Sequence, residues 1–170
     1  NGYRVATFTS PHLVDYRERI RVDGAMVSEA SLIASFERTA DALAPDSLTF
    51  FEFNTLAALL VFETAVPDAI VLEVGLGGRL DSVNVVDPDV AVVVSIGLDH
   101  MDWLGPDLES IGREKAGIFR AGRPAVFGTP EPPRSVRERA QQIGARLQVR
   151  GKDFDGRVVA GVAGWDITVG

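Results

Sequence analysis

The amino-acid sequence predicts an α/β fold, a mostly parallel sheet flanked by helices with a small antiparallel part near the C-terminal end. Two apolar, β-branched runs at 69–74 and 90–96 are typical of strands that are covered on both faces in a parallel sheet. Segments with helical spacing of apolar residues alternate with the strands, as parallel neighbours require. The length of 170 residues and the hydrophobic content of 46% suffice for one compact domain with a substantial core.

The N-terminal part of the chain is predicted to form a strand, a loop and a hairpin. The strand covers 3–8 and ends at Thr9-Ser10-Pro11-His12, because proline lacks an N–H group and disfavours helical geometry in the residue before it. Residues 20–22 and 26–27 flank an Asp23-Gly24 turn, which is the pattern of a small hairpin.

Two helices are predicted to follow. Ser28 is a suitable N-cap for the first helix, whose apolar positions follow helical spacing: Leu32, Ile33, Phe36, Ala40 and Leu43. Thr49 and Glu52 form a Thr-x-x-Glu capping box ahead of the second helix, predicted over 50–64. This second helix is apolar on nearly all sides, so we expect it to be buried.

The remainder of the chain continues the alternation of helices and strands. The predicted elements are a helix over 107–119, a strand over 125–127, a proline-rich break at 130–133, a helix over 134–145 and a strand over 147–149. The tail at 155–169 is richer in glycine and is predicted to form an antiparallel hairpin.

The composition excludes several classes of protein. There is no cysteine, which excludes thiolate metal ligands and thiol redox chemistry. The formal charge of −7, from 17 basic and 24 acidic residues, argues against a general nucleic-acid binder. No apolar run approaches the roughly 20 residues of a membrane helix, so we expect no membrane partner and a cytoplasmic location.

Polar side chains follow three of the predicted strands. Ser10 follows the first strand, Glu73 lies at the end of 69–74, and His100 comes after 90–96. The carboxyl ends of parallel strands face one edge of a sheet, where ligands bind, so we expect these side chains to meet there. A carboxylate in that position is costly to desolvate unless a cation or hydrogen-bond donors compensate. The alternatives are a Glu73 bonded to loop N–H groups, a His100 that is an ordinary polar loop residue, and a Ser10 that only makes a turn or cap.

Lys115 is one of only two lysines, the other being Lys152. At 100° per residue it falls within the apolar stripe of the predicted 107–119 helix, which consists of Leu108, Ile111, Ile118 and Phe119. Burial favours the neutral form of a lysine amine, and a neutral amine can add carbon dioxide to become a carbamate with oxygen ligands. The alternative is a side chain that extends past the stripe to solvent or pairs with a buried acid.

The candidate residues suit a hard divalent cation. Oxygen ligands with a single imidazole favour Mg²⁺ or Mn²⁺ over Zn²⁺ in a chain with no cysteine and two histidines. Magnesium commonly accompanies phosphate transfer. The sequence contains no G-x-x-x-x-G-K-[ST] motif, however, and its one Gly-Lys pair, Gly151-Lys152, has no glycine loop before it.

Six motifs lie in order over most of the chain: TSPHL at 9–13, RERI at 17–20, LTFFEF at 48–53, LEVGLGGRLDSVN at 72–84, IGLDHMDWL at 96–104 and REKAGI at 113–118. Together they resemble the folylpolyglutamate synthase and dihydrofolate synthase family, a branch of the Mur ligase superfamily. The match is weaker after Pro130.

The resemblance implies an ATP-dependent ligase that joins L-glutamate to dihydropteroate, to folate polyglutamates or to both. A folate carboxylate would take the γ-phosphoryl group of ATP to give an acyl phosphate, which the amine of glutamate attacks. The resemblance also implies the ligands of a Mg²⁺ or Mn²⁺ ion, namely Ser10, Glu73, His100 and a carbamylated Lys115. Of these, Glu73, His100 and Lys115 are the expected catalytic residues.

The same resemblance implies a pterin pocket, formed by Thr49, Phe50, Phe51, Glu52, Leu80, Asp81 and Ser82. An aromatic ring there can stack on the pteridine, and a carboxylate can accept its N–H groups. A monomeric parent enzyme is implied as well, with K⁺ as a further candidate cation and with no nucleic-acid or membrane partner.

Residues 1–170 are expected to form part of the central, ATP-binding domain of such a ligase. The chain opens on Asn1-Gly2 without an initiator methionine. The family's phosphate-binding loop lies upstream of the strand at 3–8, and its C-terminal domain lies beyond Gly170. We therefore expect these residues alone not to turn over ATP.

Two other functions remain candidates. The run VLEVGLG at 71–77 is similar to the strand and glycine loop of S-adenosylmethionine-dependent methyltransferases. However, the loop of that class requires a small residue where this chain has Arg79. The dinucleotide-binding fingerprint likewise requires its last glycine where this chain has Leu80. A non-catalytic binding protein of the same fold is the second alternative, and the joint presence of all four expected metal ligands argues against it.

Overall fold

The computed structural model describes residues 2–43, 45–159 and 165–169. The chain forms two compact units. The first unit consists of Asn1–Leu76 with Asp81–Val85, and the second consists of Gly77–Leu80 with Val86–Gly170. No helix among the described residues is long and apolar enough to cross a bilayer.

The first unit is built on a four-stranded sheet. Its strands are β1 (Val5–Phe8), β2 (Ile20–Val22), β3 (Ala25–Met26) and β4 (Ala69–Leu72), in the spatial order β3-β2-β1-β4. β1 and β4 are parallel, with Phe8 opposite Leu72, whereas β2 runs antiparallel to both of its neighbours. The predicted first strand and hairpin are therefore confirmed, and the carboxyl ends of β1 and β4 lie side by side.

Helix α1 (Glu29–Leu43) begins where predicted, with the Ser31 N–H 3.2 Å from the Ser28 hydroxyl oxygen. Its buried face differs from the prediction, because Ser35 and Thr39 are buried while Ile33 is 55% exposed. Both buried hydroxyls donate to carbonyls of the preceding turn, at 2.7 and 2.8 Å. The helix thus satisfies these polar groups internally, so they can occupy a buried face.

Helix α2 (Phe50–Ala65) has the predicted capping box, in which Thr49 and Glu52 bond reciprocally. It ends at Val66, whose φ of 47° stops the helix in the left-handed region. The expectation that the helix is buried on nearly all sides is wrong at two large apolar positions, since Phe50 is 62% and Leu56 39% exposed. Its inner face packs with β1 and β2 into a core that contains Phe8, Ile20, Ala58, Val61 and Phe62.

Strand β4 is more exposed than predicted. Ile70 and Val71 are 47% and 53% exposed, and the strand ends at Leu72 rather than at Val74. β4 is the last strand of its sheet and pairs only with β1 among the described residues. The apolar run was a correct signal for a parallel strand, but cover on both faces also depends on the neighbours that the sheet order supplies.

The second unit is built on a three-stranded parallel sheet with the order β5-β6-β7. Its elements are β5 (Ala91–Val93), α3 (Met101–Leu104), α4 (Leu108–Lys115), β6 (Pro124–Phe127), α5 (Arg134–Ile143) and β7 (Arg146–Val149). β5 buries Ala91 and Val93, whereas Val92 is 52% exposed. The prediction of cover on both faces is therefore wrong for this edge strand too.

The core of the second unit includes Phe119, Phe127, Val136 and Ala140. The predicted helix over 107–119 is divided, because α4 gives way at Ala116 to a short 3-10 turn, Ala116–Ile118. The brief helix α3 was not predicted. The chain ends in the predicted antiparallel hairpin, β8 (Phe154–Val158) with β9 (Trp165–Val169); the part of the prediction that covers 160–164 falls outside the described residues.

Candidate functional site

The strand ends of the first unit bring together two of the expected metal ligands. The Glu73 N–H continues the β1–β4 pairing by donating to the Phe8 carbonyl at 2.9 Å. The Ser10 N–H donates to Glu73 Oε2 at 2.8 Å. Topology therefore places Ser10 beside Glu73, as predicted from the parallel sheet.

The environment of Glu73 differs from the expected one. Its side chain is exposed rather than desolvated, since β4 ends one residue earlier. The bond from Ser10 matches the alternative prediction of a glutamate held by a loop N–H. Within the described residues, Glu73 Oε1 and the Ser10 hydroxyl make no hydrogen bond, so both retain lone pairs for a cation.

The loop after β4 is organised by Asp81. Its Oδ2 accepts the N–H groups of Gly75 and Leu76 at 3.0 and 2.9 Å, and its Oδ1 accepts the Val83 N–H at 3.0 Å. Three charge-assisted bonds close the loop onto the 3-10 turn Ser82–Val85. This anchoring role was missed from the sequence, where Asp81 was expected to face a pteridine.

The start of α2 borders this loop. The ring of Phe51 lies against Gly75, where an added Cβ would come within 2.7 Å of a ring carbon. The same ring is 5.6 Å from the ring of Phe8. Ser82 and Thr55 share a hydroxyl hydrogen bond of 2.7 Å. Residues from both expected pterin segments thus occur together in the first unit.

Glu52 is engaged by the helix cap. Its Oε2 accepts the Thr49 N–H at 2.8 Å and the Thr49 hydroxyl at 2.7 Å. The hydroxyl bond is the main cause that lowers the pKa of Glu52, with the N–H bond adding to it. Glu52 is therefore an ionised acceptor at neutral pH. Its neighbour Phe50 presents an exposed ring.

His100, Lys115 and Leu80 belong to the second unit. His100 precedes α3 with a φ of 50°, and its Nε2 lies 3.7 Å from Asp99 Oδ2. Its side chain is 58% exposed, which also fits the alternative of a polar loop residue. Leu80, expected in the pterin pocket, is 80% exposed.

Lys115 is the last residue of α4. It is half-buried rather than fully inward, whereas Arg113 is exposed and Glu114 pairs with Arg79 at 3.0 Å. Leu108 is 43% exposed, so the predicted apolar stripe is shorter than expected. The Lys115 amine has no hydrogen-bond or ion-pair partner among the described residues, which disfavours the alternative of pairing with an acid there.

The expected metal ligands are divided between the units, two in each. No group of three or more His, Asp or Glu residues that could hold a metal ion occurs in the part of the chain that the structure describes. The expected ligand set instead includes a hydroxyl and a modified lysine. Its donors are those that Mg²⁺ and Mn²⁺ accept.

Comparison with known proteins decides the family. The sequence profile of the Mur ligase middle domain matches residues 25–150. The chain belongs to this family. This Mur ligase middle domain contains the mixed and the parallel sheet described above, with their strand-end loops.

Two curated relatives of this Mur ligase middle domain are both named as folylpolyglutamate synthases. It is 56% identical over 154 residues to the dihydrofolate synthase/folylpolyglutamate synthase of Escherichia coli (strain K12), a match that covers 91% of the chain and 36% of the relative. A folylpolyglutamate synthase of Arabidopsis thaliana is 42% identical over 160 residues, covering 87% of the chain and 28% of the relative. The chain therefore spans about a third of the length of these relatives.

Solved structures agree with the family assignment. E. coli FolC in complex with DHPP and ADP matches with a TM-score of 0.92 and 52% identity, over 99% of this chain and 40% of that one. The bifunctional folylpolyglutamate synthase/dihydrofolate synthase of Yersinia pestis, complexed with AMPPNP and Mn ion, matches with a TM-score of 0.90 and 49% identity, over 99% and 40% of the two chains. These matches favour the ligase over the methyltransferase alternative.

Proposed function

We propose that this Mur ligase middle domain is part of a cytoplasmic ATP-dependent ligase that adds L-glutamate to dihydropteroate, to folate polyglutamates or to both. The identity of 56% over 91% of the chain to a dihydrofolate synthase/folylpolyglutamate synthase carries the proposal. The tie between Ser10 and Glu73 at the carboxyl ends of β1 and β4 supports it, because ligands of α/β sheets bind at that edge.

Residues 1–170 are proposed to form part of the ATP-binding central domain of a longer enzyme. The chain spans 36% of its E. coli relative, and the sequence contains no G-x-x-x-x-G-K-[ST] motif. The phosphate-binding loop and the glutamate site are then supplied by other parts of a parent enzyme that acts as a monomer. Its ligands are ATP, a folate and L-glutamate, without nucleic acid or membrane, and K⁺ is a further candidate cation.

Each expected site residue has a role in this proposal. Ser10 and Glu73 of the first unit, with His100 and a carbamylated Lys115 of the second, hold Mg²⁺ or Mn²⁺. Among the described residues, Ser10 Oγ, Glu73 Oε1 and the Lys115 amine have no hydrogen-bond partner, which fits that role. A divalent ion supplies charge that offsets the phosphoryl group during transfer. The carbamate forms when the neutral amine adds carbon dioxide and releases one proton.

The folate is proposed to bind along Thr49, Phe50, Phe51, Glu52, Leu80, Asp81 and Ser82. Phe51 is positioned by Gly75 and Phe8, so its ring is ready to stack on a pteridine. Asp81 and Glu52 are held by N–H and hydroxyl donors, and their remaining lone pairs face no donor among the described residues. Such fixed acceptors orient a ligand at little entropic cost.

The test is release of ADP by the full-length enzyme with Mg²⁺, dihydropteroate and glutamate. We expect turnover that requires all three, and a loss of at least about a hundredfold in Glu73→Gln, which removes a proposed ligand charge. The matched control is Glu63→Gln, since Glu63 is an exposed residue of α2 whose one ion-pair partner in the described part of the chain is Arg38. Turnover independent of folate and glutamate would overturn the proposal, as would saturable binding of S-adenosylmethionine with no ADP release.

A further inference from the structure

The motif Arg17-Glu18-Arg19-Ile20 leads into β2 and has no role in the function proposed so far. Two of its charged residues hold the preceding loop. Arg17 Nη2 lies 2.6 Å from Asp15 Oδ2, and Glu18 accepts the N–H groups of residues 13, 14 and 15 at 3.0, 2.9 and 2.7 Å. Arg19 takes no part in these bonds.

Arg19 is nearly buried, with 8% of its surface exposed. Its Nε donates to His12 Nδ1 at 2.8 Å, which fixes the plane of the guanidinium group. Within the described residues, no carboxylate pairs with Arg19, and its two terminal amino groups have no hydrogen-bond partner. A buried cation without a counter-charge is unfavourable, so the pocket is incomplete as it stands.

Two aromatic rings flank the Arg19 guanidinium. Its central carbon is 5.8 Å from the centroid of Tyr16 and 5.4 Å from that of Phe50, and the two rings meet edge-on at 6.2 Å. Cation–π attraction offsets part of the cost of burial but leaves the N–H edge without an acceptor. Burial also raises the pKa of Tyr16, against the opposing charge of Arg19, so the phenol stays neutral and adds no counter-charge.

The outer edge of the guanidinium opens to solvent. Only Asn54 Oδ1 and Ser135 Oγ are fully buried side-chain polar atoms without a partner in the described part of the chain, so the terminal Arg19 nitrogens retain solvent contact. The Phe50 ring beside them is 62% exposed. A planar fork of donors next to an exposed ring suits a ligand that carries an aromatic group and an oxygen acceptor.

We infer that Arg19 is a further substrate-binding residue, whose terminal amino groups bind an oxygen of the folate while an aromatic ring of the folate packs on Phe50. The inference rests on the proposed function. Dihydropteroate offers two such oxygens, a benzoate carboxylate at one end and a ring carbonyl on the pterin. His12 is a positioning residue, because its bond to Arg19 Nε orients the guanidinium group.

The test compares Arg19→Lys with wild type in the full-length enzyme, by calorimetric titration with dihydropteroate. Lysine keeps the charge but loses the fork and the geometry of the bond to His12. We expect binding to weaken about ten- to a hundredfold, as for loss of a charged hydrogen bond. The matched control is Arg21→Lys, at a residue of β2 whose side chain donates, among the described residues, to the Gly24 carbonyl alone; binding should stay within about twofold of wild type.

A second ligand identifies the oxygen. 6-Hydroxymethyl-7,8-dihydropterin has the ring carbonyl but no benzoate carboxylate. Equal weakening for both ligands in Arg19→Lys assigns the ring carbonyl, whereas weakening for dihydropteroate alone assigns the carboxylate. Unchanged affinity for both ligands in a folded variant overturns the inference.

Two further measurements separate the possible failures. Thermal unfolding and binding of ATP with Mg²⁺ report whether Arg19→Lys is folded; if it is not, Arg19→Gln is judged by the same criterion, because glutamine removes the buried charge. A wild-type enzyme that binds neither dihydropteroate nor the pterin refutes the proposed function. A wild-type enzyme that binds dihydropteroate as tightly as its folded Arg19 variant refutes only the role of Arg19.

Discussion

The two units of this Mur ligase middle domain use their carboxylates in different ways. In the first unit, Glu18, Glu73 and Asp81 accept backbone N–H groups of the loops that carry the proposed site. In the second, Glu109 accepts the N–H groups of Arg134 and Ser135 at the start of α5, at 3.0 and 2.7 Å. The same type of bond thus orders the loops of the proposed site in the first unit and the start of α5 in the second.

The expected ligands follow this division. Ser10 and Glu73 are fixed to each other, whereas the His100 imidazole and the Lys115 amine donate or accept no hydrogen bond among the described residues. We infer that the first unit holds its part of the site in place before a ligand arrives. In the second unit these two side chains have no such partner among the described residues, which is compatible with their proposed roles as cation ligands and, for Lys115, with the proposed carbamate.

Removing one large core side chain from each unit is expected to have the largest effect on stability, and it shows whether the two units also differ in their cores. Phe62 and Phe127 are 2% and 1% exposed, so burial predicts an equal need for each. Phe62→Ala and Phe127→Ala should each lower the free energy of unfolding by about 3–5 kcal/mol. Urea denaturation measures both. A loss below about 1 kcal/mol in either variant would show that one unit tolerates a cavity, and that the units differ in packing as well.

A glycine in each unit lies against a neighbouring residue, and replacing each with alanine should affect the two units differently. An added Cβ on Gly117 would lie 2.3 Å from the Cβ and 2.7 Å from the Cα of Arg79. Because backbone must then shift, Gly117→Ala should cost about 1–3 kcal/mol of stability. On Gly75 the added Cβ would meet the tip of the Phe51 ring, so this side chain rather than the backbone must shift from its position beside Phe8. Gly75→Ala should therefore weaken dihydropteroate binding more than it lowers stability.

The control for both glycine variants is Gly97→Ala, since a Cβ at Gly97 meets nothing within 4 Å. Stability comes from urea denaturation, and dihydropteroate affinity from titration of the full-length enzyme. Equal losses of stability in Gly75→Ala and Gly117→Ala, with unchanged affinity, would remove the distinction between a recognition loop and a scaffold.

Most of the secondary structure could be predicted because its signals are local. The capping box at Thr49 and the hairpin turn at Asp23-Gly24 depend on neighbouring residues, and both occur as expected. Cover of β4 and β5 could not be predicted, since it depends on sheet order. The buried face of α1 was misassigned because hydropathy does not register that Ser35 and Thr39 bond within their own helix.

In the candidate site, too, features set by local sequence or topology could be predicted, whereas features set by tertiary packing could not. The contact of Ser10 with Glu73 follows from parallel topology, so sequence was sufficient. Lys115 is half-buried at the end of α4, and the 3-10 turn that begins at Ala116 changes the angle per residue, so the predicted stripe does not continue regularly to Ile118 and Phe119. The burial of Arg19 depends on His12, Tyr16 and Phe50 together, a combination that spacing along the chain does not reveal.

The smallest predicted effect concerns acid stability of the loop around Glu18. Bonds from three backbone N–H groups lower the pKa of Glu18 from 4.5 to about 2, and the Arg17 side chain lowers that of Asp15 from 3.8 to about 2. The unfolded chain therefore binds protons first, so these groups stabilise the fold above about pH 4.5 and lose that contribution as the pH falls towards 2.

Glu18→Gln should flatten this part of the pH profile, and the control Glu37→Gln, at an exposed position on α1, should not. The free energy of unfolding measured by urea denaturation between pH 2 and 6 is the readout. In the second unit, backbone bonds from Ser135 also lower the pKa of Glu109, so Glu109→Gln should flatten the profile as well. A steeper profile in Glu18→Gln than in wild type would contradict the prediction.

The exposed edge strands have a practical consequence for handling the protein. Among the described residues, β4 and β5 each end their sheets, and neither carries a charged residue in AIVL at 69–72 or AVV at 91–93. Apolar edge strands of this kind can pair with other chains. A purified 170-residue chain is therefore expected to self-associate as its concentration rises, and a lysine placed at Val92 is a rational change for improving its solubility.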